Sequence, residues 1–143
     1  MDRRDFLTLA CLLPAGAVLA APAAPVAAGL SLPAAINKAG RQRLLSQRTA
    51  KAWLMLVQGV LSDKAKSILG QSTQLFEQQL AELKTLQPNE DCRAAWLLLE
   101  QEWGRYRPQL ADIRSDAKAV WTGSEAVLAA AQKLTVAYER ASG

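Results

Sequence analysis

Apolar residues recur at alternating spacings of three and four along four stretches of the chain, the mark of amphipathic helices. No stretch alternates with the period of two that a strand requires, and no internal repeat appears. The first predicted helix runs from about Pro33 to Val60, opened by a proline suited to a first helical turn, with Ser31 or Leu32 ahead of it. At 3.6 residues per turn, Ile36, Ala39, Gly40, Arg43, Gln47, Ala50, Leu54, Val57 and Leu61 share one face. The run Trp53 to Val57 is apolar all round, which predicts burial against both its own bundle and a partner subunit. Gly59 and Ser62-Asp63 mark the first turn.

The second predicted helix spans about Asp63 to Leu86. Ile68, Leu75, Phe76, Leu83 and Leu86 face inward, opposite a solvated side rich in Gln and Glu. Pro88 disfavours helix at the residue before it, and Asn89 can cap the next helix. The third carries Trp96, Leu99, Trp103, Tyr106 and Leu110, and Pro108 predicts an end or a kink near Arg107. The fourth carries Ala117, Val120, Ser124, Val127, Ala131, Leu134 and Tyr138, with Ser115 or Asp112 as its cap. Gly123 inside it costs about 1 kcal/mol relative to alanine. Short turns between long helices imply neighbours that run in opposite directions. The expected fold class is therefore all-α, an antiparallel up-down-up-down four-helix bundle over residues 33–143.

An export signal is expected ahead of that bundle, over residues 1–20. Arg3 and Arg4 form its cationic head, Phe6 to Leu19 its apolar core, and Val18-Leu19-Ala20 a small-residue cleavage site. Arg3-Arg4-Asp5-Phe6-Leu7 resembles the twin-arginine pattern, and ordinary secretion is the other route. The apolar core is shorter than the ~20 residues that span a bilayer; an uncleaved anchor is the alternative reading. Residues 21–32, built of Ala, Pro, Val and Gly, read as a flexible leader. The expected compartment is the periplasm.

The 143 residues are half hydrophobic, one domain's worth and enough for a single core. A net charge of +4 suits a small anion, an anionic surface or nucleic acid. No RNA-binding signature, helix-turn-helix pattern or aromatic-basic strand accompanies it, so no nucleic-acid partner is expected. There is no histidine, which removes the commonest general base and the commonest metal ligand. Glu-x-x-His pairs for a di-iron centre cannot exist, and Glu100 and Glu102 are not spaced to share one helix face. No phosphate loop, nucleophile elbow or cysteine with a base partner is present. The expectation is no catalysis, no metal and no cofactor. Trp96, Trp103, Tyr106, Trp121 and Tyr138 read as core rather than as a cofactor box. Cys11 lies in the signal, leaving Cys92 either as a small core residue or as half of an intermolecular bridge.

Arg43 is the anomaly. Its stripe is otherwise small, apolar or amide-bearing, and a guanidinium cannot shed its proton to escape burial. A charge there needs water, a carboxylate or a bound anion. Arg41 and Arg48, seven residues apart, either form a solvated face paired with acids of a neighbouring helix or extend the binding site.

The segment Ala35 to Arg48, AINKAGRQRLLSQR, resembles the signature of the PilJ-type domain, the N-terminal sensor of type IV pilus methyl-accepting chemotaxis transducers. Only Leu44, where Met is usual, departs from it. The closing segment SEAVLAAAQKLTVAYE resembles the end of that domain. AINKAG also looks like the nitrate-sensing segment of NarX-type sensor kinases. That likeness implies a four-helix bundle binding nitrate or nitrite between two subunits, on an arginine three residues after the motif glycine. Here that arginine is Arg43, with Gly40 and Lys38 implied as neighbours of the site. Beyond Gly40 the chain follows the pilus-transducer pattern, with Arg41, Gln42 and Gln47.

The resulting expectation is a non-catalytic sensor-type module binding a small oxyanion (nitrate, nitrite or a carboxylate) across a homodimer interface. Its ligand-binding residues are Arg43, Gly40, Lys38, Ile36, Gln47 and Arg41. Such transducers signal through a membrane helix, and none follows before Gly143, so the expectation is either a separate membrane receptor as partner or a stand-alone binding protein. The alternative is a structural or adaptor bundle acting with a type IV pilus or chemosensory receptor. In that case Arg43 pairs with Glu125 or Glu139 and no anion alters stability.

Overall fold

The computed structural model describes residues 29–143. The expected export signal and residues 21–28 of the expected leader lie outside them. Among the described residues there are four helices and no strand: α1 (Leu32–Val57), α2 (Ser62–Lys84), α3 (Glu90–Ala111) and α4 (Ala117–Ser142). No helix among them is long and apolar enough to cross a membrane.

Local chemistry sets the helix ends. Ser31 Oγ accepts from the Ala34 amide at 3.3 Å, with Pro33 in the first turn, so α1 starts inside the stretch expected as leader. It stops at Val57, three residues before the expected end, where Gly59 takes φ +68°. Leu61 then adopts φ +47° before α2, a conformation that costs a side-chain-bearing residue roughly 1–2 kcal/mol. Asn89 caps α3 as expected, its Oδ1 accepting from the Cys92 amide at 2.9 Å. Asp116, and neither Ser115 nor Asp112, caps α4 through the Ala119 amide at 3.0 Å. Pro108 does not end α3, which runs on to Ala111. The carbonyl that proline leaves unbonded belongs to Gly104, on the exposed face, where solvent reaches it.

Residue pairs between helices rise along one and fall along the other. Between α1 and α2, Lys38 meets Glu82 and Gln42 meets Phe76. Between α1 and α4, Arg43 meets Gln132 and Gln47 meets Glu125. Between α2 and α3, Trp96 Nε1 donates to the Leu80 carbonyl at 2.9 Å, and Phe76 stacks on Trp103 with ring centroids 3.8 Å apart.

The core follows the expected spacings on α3 and, from Val120 onward, on α4, where Trp96, Leu99, Trp103, Tyr106 and Leu110 face Val120, Val127, Leu134 and Tyr138, all buried. Ala117, expected on the same stripe, is exposed in the first turn of α4. The Tyr138 hydroxyl bonds the carbonyls of Leu83, in the last turn of α2, and of Leu86, just beyond it, at 3.1 and 2.9 Å, tying α4 to the end of α2. On α2, Phe76 and Leu83 are buried and Leu75 packs half-buried against the core, as does Leu86 just beyond the helix end, while Ile68 is half-buried.

Burial departs from expectation on both α4 and α1. Trp121 is not core but 58% exposed, because it stands about 100° around α4 from the buried Val120. On α1 the buried face centres on Ala35, Gln42, Ser46, Thr49 and Trp53. Of the Arg43 stripe only the small residues Ala39 and Ala50 are buried, so that stripe borders the core rather than facing it. Beyond Trp53, Leu54, Met55 and Leu56 are half-buried and Val57 is exposed, so the run is not buried all round within one chain.

Candidate functional site

The first turns of α1 divide their polar side chains among three surroundings. Gln42, Ser46 and Thr49 enter the core. Ser46 and Thr49 satisfy their hydroxyls on their own helix, donating at 2.8 Å to the carbonyls of Arg43 and Ser46. Thr49 also shares a hydrogen bond of 3.2 Å with the Tyr106 hydroxyl. Burial pushes that phenol up to about 12, against an opposing contribution from Thr49. Gln42 Nε2 donates to the Phe76 carbonyl at 3.1 Å, while its Oε1 is buried with no partner.

A second set faces α4. Arg43 is half-buried, folded back so that Nε donates to the Gly40 carbonyl at 3.3 Å. Its Nη1 donates to Gln132 Oε1. Gly40 makes room for this, since a Cβ there would stand 3.3 Å from Arg43 Nη2. One turn further on, Gln47 Nε2 donates to Glu125 Oε1 at 3.0 Å. Arg43 therefore meets only neutral acceptors. Among the described residues no carboxylate lies within ion-pair distance of it, and Glu125, the acid one turn away, is taken up by an amide.

A third set faces α2. Lys38 is ion-paired with Glu82, and that hydrogen bond holds the Glu82 carboxyl below its usual range. Arg41 is exposed and lines a groove of about 250 Å³ with Arg48, Leu44 and Leu75.

The six expected ligand-binding residues are thus not all brought together. Gly40, Arg43 and Gln47 converge beside α4, Ile36 is half-buried against the core, and Lys38 and Arg41 stand on the α2 side. Gln132 was not anticipated. Its signal was available in the sequence, because it follows Glu125 by seven residues, on the same side of α4. Past this cluster, Leu54, Met55 and the exposed Trp121 line a shallow apolar groove between α1 and α4.

Cys92 is wholly buried, and burial, with Asp91 adding to it, pushes its thiol up. An intermolecular bridge through it would require α3 to open. Among the described residues no three of His, Cys, Asp or Glu come together as metal ligands.

A family model described as "PilJ: Type IV pili methyl-accepting chemotaxis transducer N-term" matches residues 29–139. No curated protein and no solved structure matches the chain.

Proposed function

Because the chain belongs to the PilJ family of type IV pili methyl-accepting chemotaxis transducer N-terminal domains, we propose that it is a sensor-type module in which Arg43 anchors a small oxyanion. One observation carries this reading. A permanently charged, half-buried guanidinium sits beside a glycine and two amides, with no carboxylate among the described residues to neutralise it. Nitrate, nitrite or a small carboxylate matches a guanidinium in a planar, two-point contact that Gln132 gives at one point only.

The proposed scaffold is an antiparallel up-down-up-down bundle, a topology supported by the descending residue pairs between neighbouring helices. Two such bundles would pair along the α1–α4 groove, where half-buried Leu54 and Met55 and exposed Trp121 supply apolar area. Two Arg43 side chains brought near a two-fold axis would repel, and a shared anion would relieve that repulsion and tighten the dimer. The module works without catalysis, in the periplasm after export, and hands its signal to a membrane receptor. The NarX-like glycine-to-arginine spacing, Gly40 to Arg43, supports the choice of nitrate and nitrite as first ligands to try.

Calorimetry and thermal melts of the protein with nitrate, nitrite and acetate test the site. Heat of binding and a higher melting temperature are expected for the wild type, with neither for Arg43→Ala. Equal shifts in both proteins discard the site.

A second reading has its own observation: Arg43 already has two hydrogen bonds within the chain, to Gly40 and Gln132. On that reading the motif serves packing in a structural or adaptor bundle acting with a pilus or chemosensory receptor. The partner it required for Arg43, Glu125 or Glu139, is replaced by Gln132. No anion would then alter stability.

A further inference from the structure

α1 carries Lys38, Arg41, Arg43, Arg48 and Lys51 and not a single carboxylate. Lys38 is neutralised by Glu82, and Arg43 turns toward α4. The other three border the groove between α1 and α2; Arg41 and Arg48 stand away from the Arg43 site, while Lys51 sits on the ridge between this groove and the α1–α4 groove and lines both. The groove has two adjoining parts that share Arg48, of about 250 and 290 Å³. Its apolar lining includes Leu44, Leu45, Met55, Leu61, Ile68 and Leu75, and Lys64 joins the cations from the α2 side. Among the described residues, no Asp or Glu lines either part. Among the described residues, Arg41, Arg48, Lys51 and Lys64 have no carboxylate within ion-pair distance. Leu44 and Leu61, toward opposite ends, are each 62% exposed.

From Arg41 to Met55 the groove extends about 21 Å at the helical rise, the length of a helix of roughly fourteen residues. Such a segment, apolar on one face and acidic along its flanks, would seat apolar side chains between Leu44 and Leu61. Its carboxylates would meet Arg41, Arg48, Lys51 and Lys64. A planar lipid surface would touch the two protruding leucines but could not fill a concavity between helices. We propose that the α1–α2 groove docks an acidic amphipathic helix of a partner protein, independently of the anion at Arg43.

The probe is a stapled amphipathic peptide of about fifteen residues, leucine at the helical a and d positions and glutamate elsewhere, measured by fluorescence anisotropy. It is expected to bind the wild type. The double variant Arg48→Glu with Lys51→Glu should weaken it about tenfold or more, as loss of two charge contacts and their replacement by repulsion requires. Lys133→Glu with Arg140→Glu, the same charge change on α4, should leave binding within about twofold of wild type. The proposal is overturned if a scrambled peptide of the same composition binds as well, or if both double variants weaken binding alike. It is overturned too if phosphatidylglycerol vesicles bind through Arg48 and Lys51 while the peptide does not.

Discussion

Arg43 folds its guanidinium back over Gly40, donating from Nε to that residue's carbonyl, while Nη2 occupies the space a Cβ at position 40 would crowd at 3.3 Å. The glycine thus sets how closely the charge lies against α1. Alanine at this position adds helix propensity, up to about 1 kcal/mol, and pushes only the far end of a flexible side chain. Gly40→Ala is expected to melt at or slightly above the wild-type temperature while its response to nitrate or nitrite shrinks. A variant that melts lower, or responds fully, contradicts this link between the two residues.

Gly123 behaves in the opposite way. An added Cβ would stand 2.6 Å from Cδ2 of Tyr106, a wholly buried ring edge-on to Trp103 and bonded to Thr49. The propensity gain from alanine is therefore outweighed by overpacking of about 1–3 kcal/mol. Chemical denaturation of Gly123→Ala should give a lower midpoint than wild type. A higher one would mean that α3 and α4 separate more easily than their packing implies.

The tryptophans separate by burial. Trp103 is 5% exposed, stacked on Phe76, and Trp103→Ala should cost about 3–5 kcal/mol. Trp121 is 58% exposed, and Trp121→Ala should fall within about 0.5 kcal/mol of wild type for the isolated chain. If Trp121 lies in a dimer interface as proposed, its removal should instead lower dimer affinity, read by sedimentation across a concentration series.

The only two tyrosines, Tyr106 and Tyr138, are both buried. Burial pushes each phenol up to about 12 from the usual 10.0, helped at Tyr138 by Cys92. A phenol harder to ionise when folded stabilises the fold while it stays protonated. That contribution is complete below pH 10.0 and disappears as pH climbs toward about 12. Tyrosinate absorbance and loss of helical circular dichroism should therefore rise together in one step across that window. Titration near pH 10 with the helices intact would show that neither ring is shielded.

Helix number, the aromatic seam of α3 and the small-apolar seam of α4 were legible in the chain, because there the apolar residues themselves mark the buried face. Arg43 was legible too, as a fixed charge among neutral neighbours. On α1 the buried line is marked instead by Gln42, Ser46 and Thr49, whose polarity disguised it. Ser46 and Thr49 can enter a core because their hydroxyls bond their own helix, a local device that hydropathy does not register. That shift of face decided which neighbour each cation meets: Glu82 for Lys38, Gln132 for Arg43, and no carboxylate among the described residues for Arg41 and Arg48. Periodicity is a property of one helix and is written along it. The partner of a charge is a property of two helices, fixed by their rotation and register, and only the packed chain decides it.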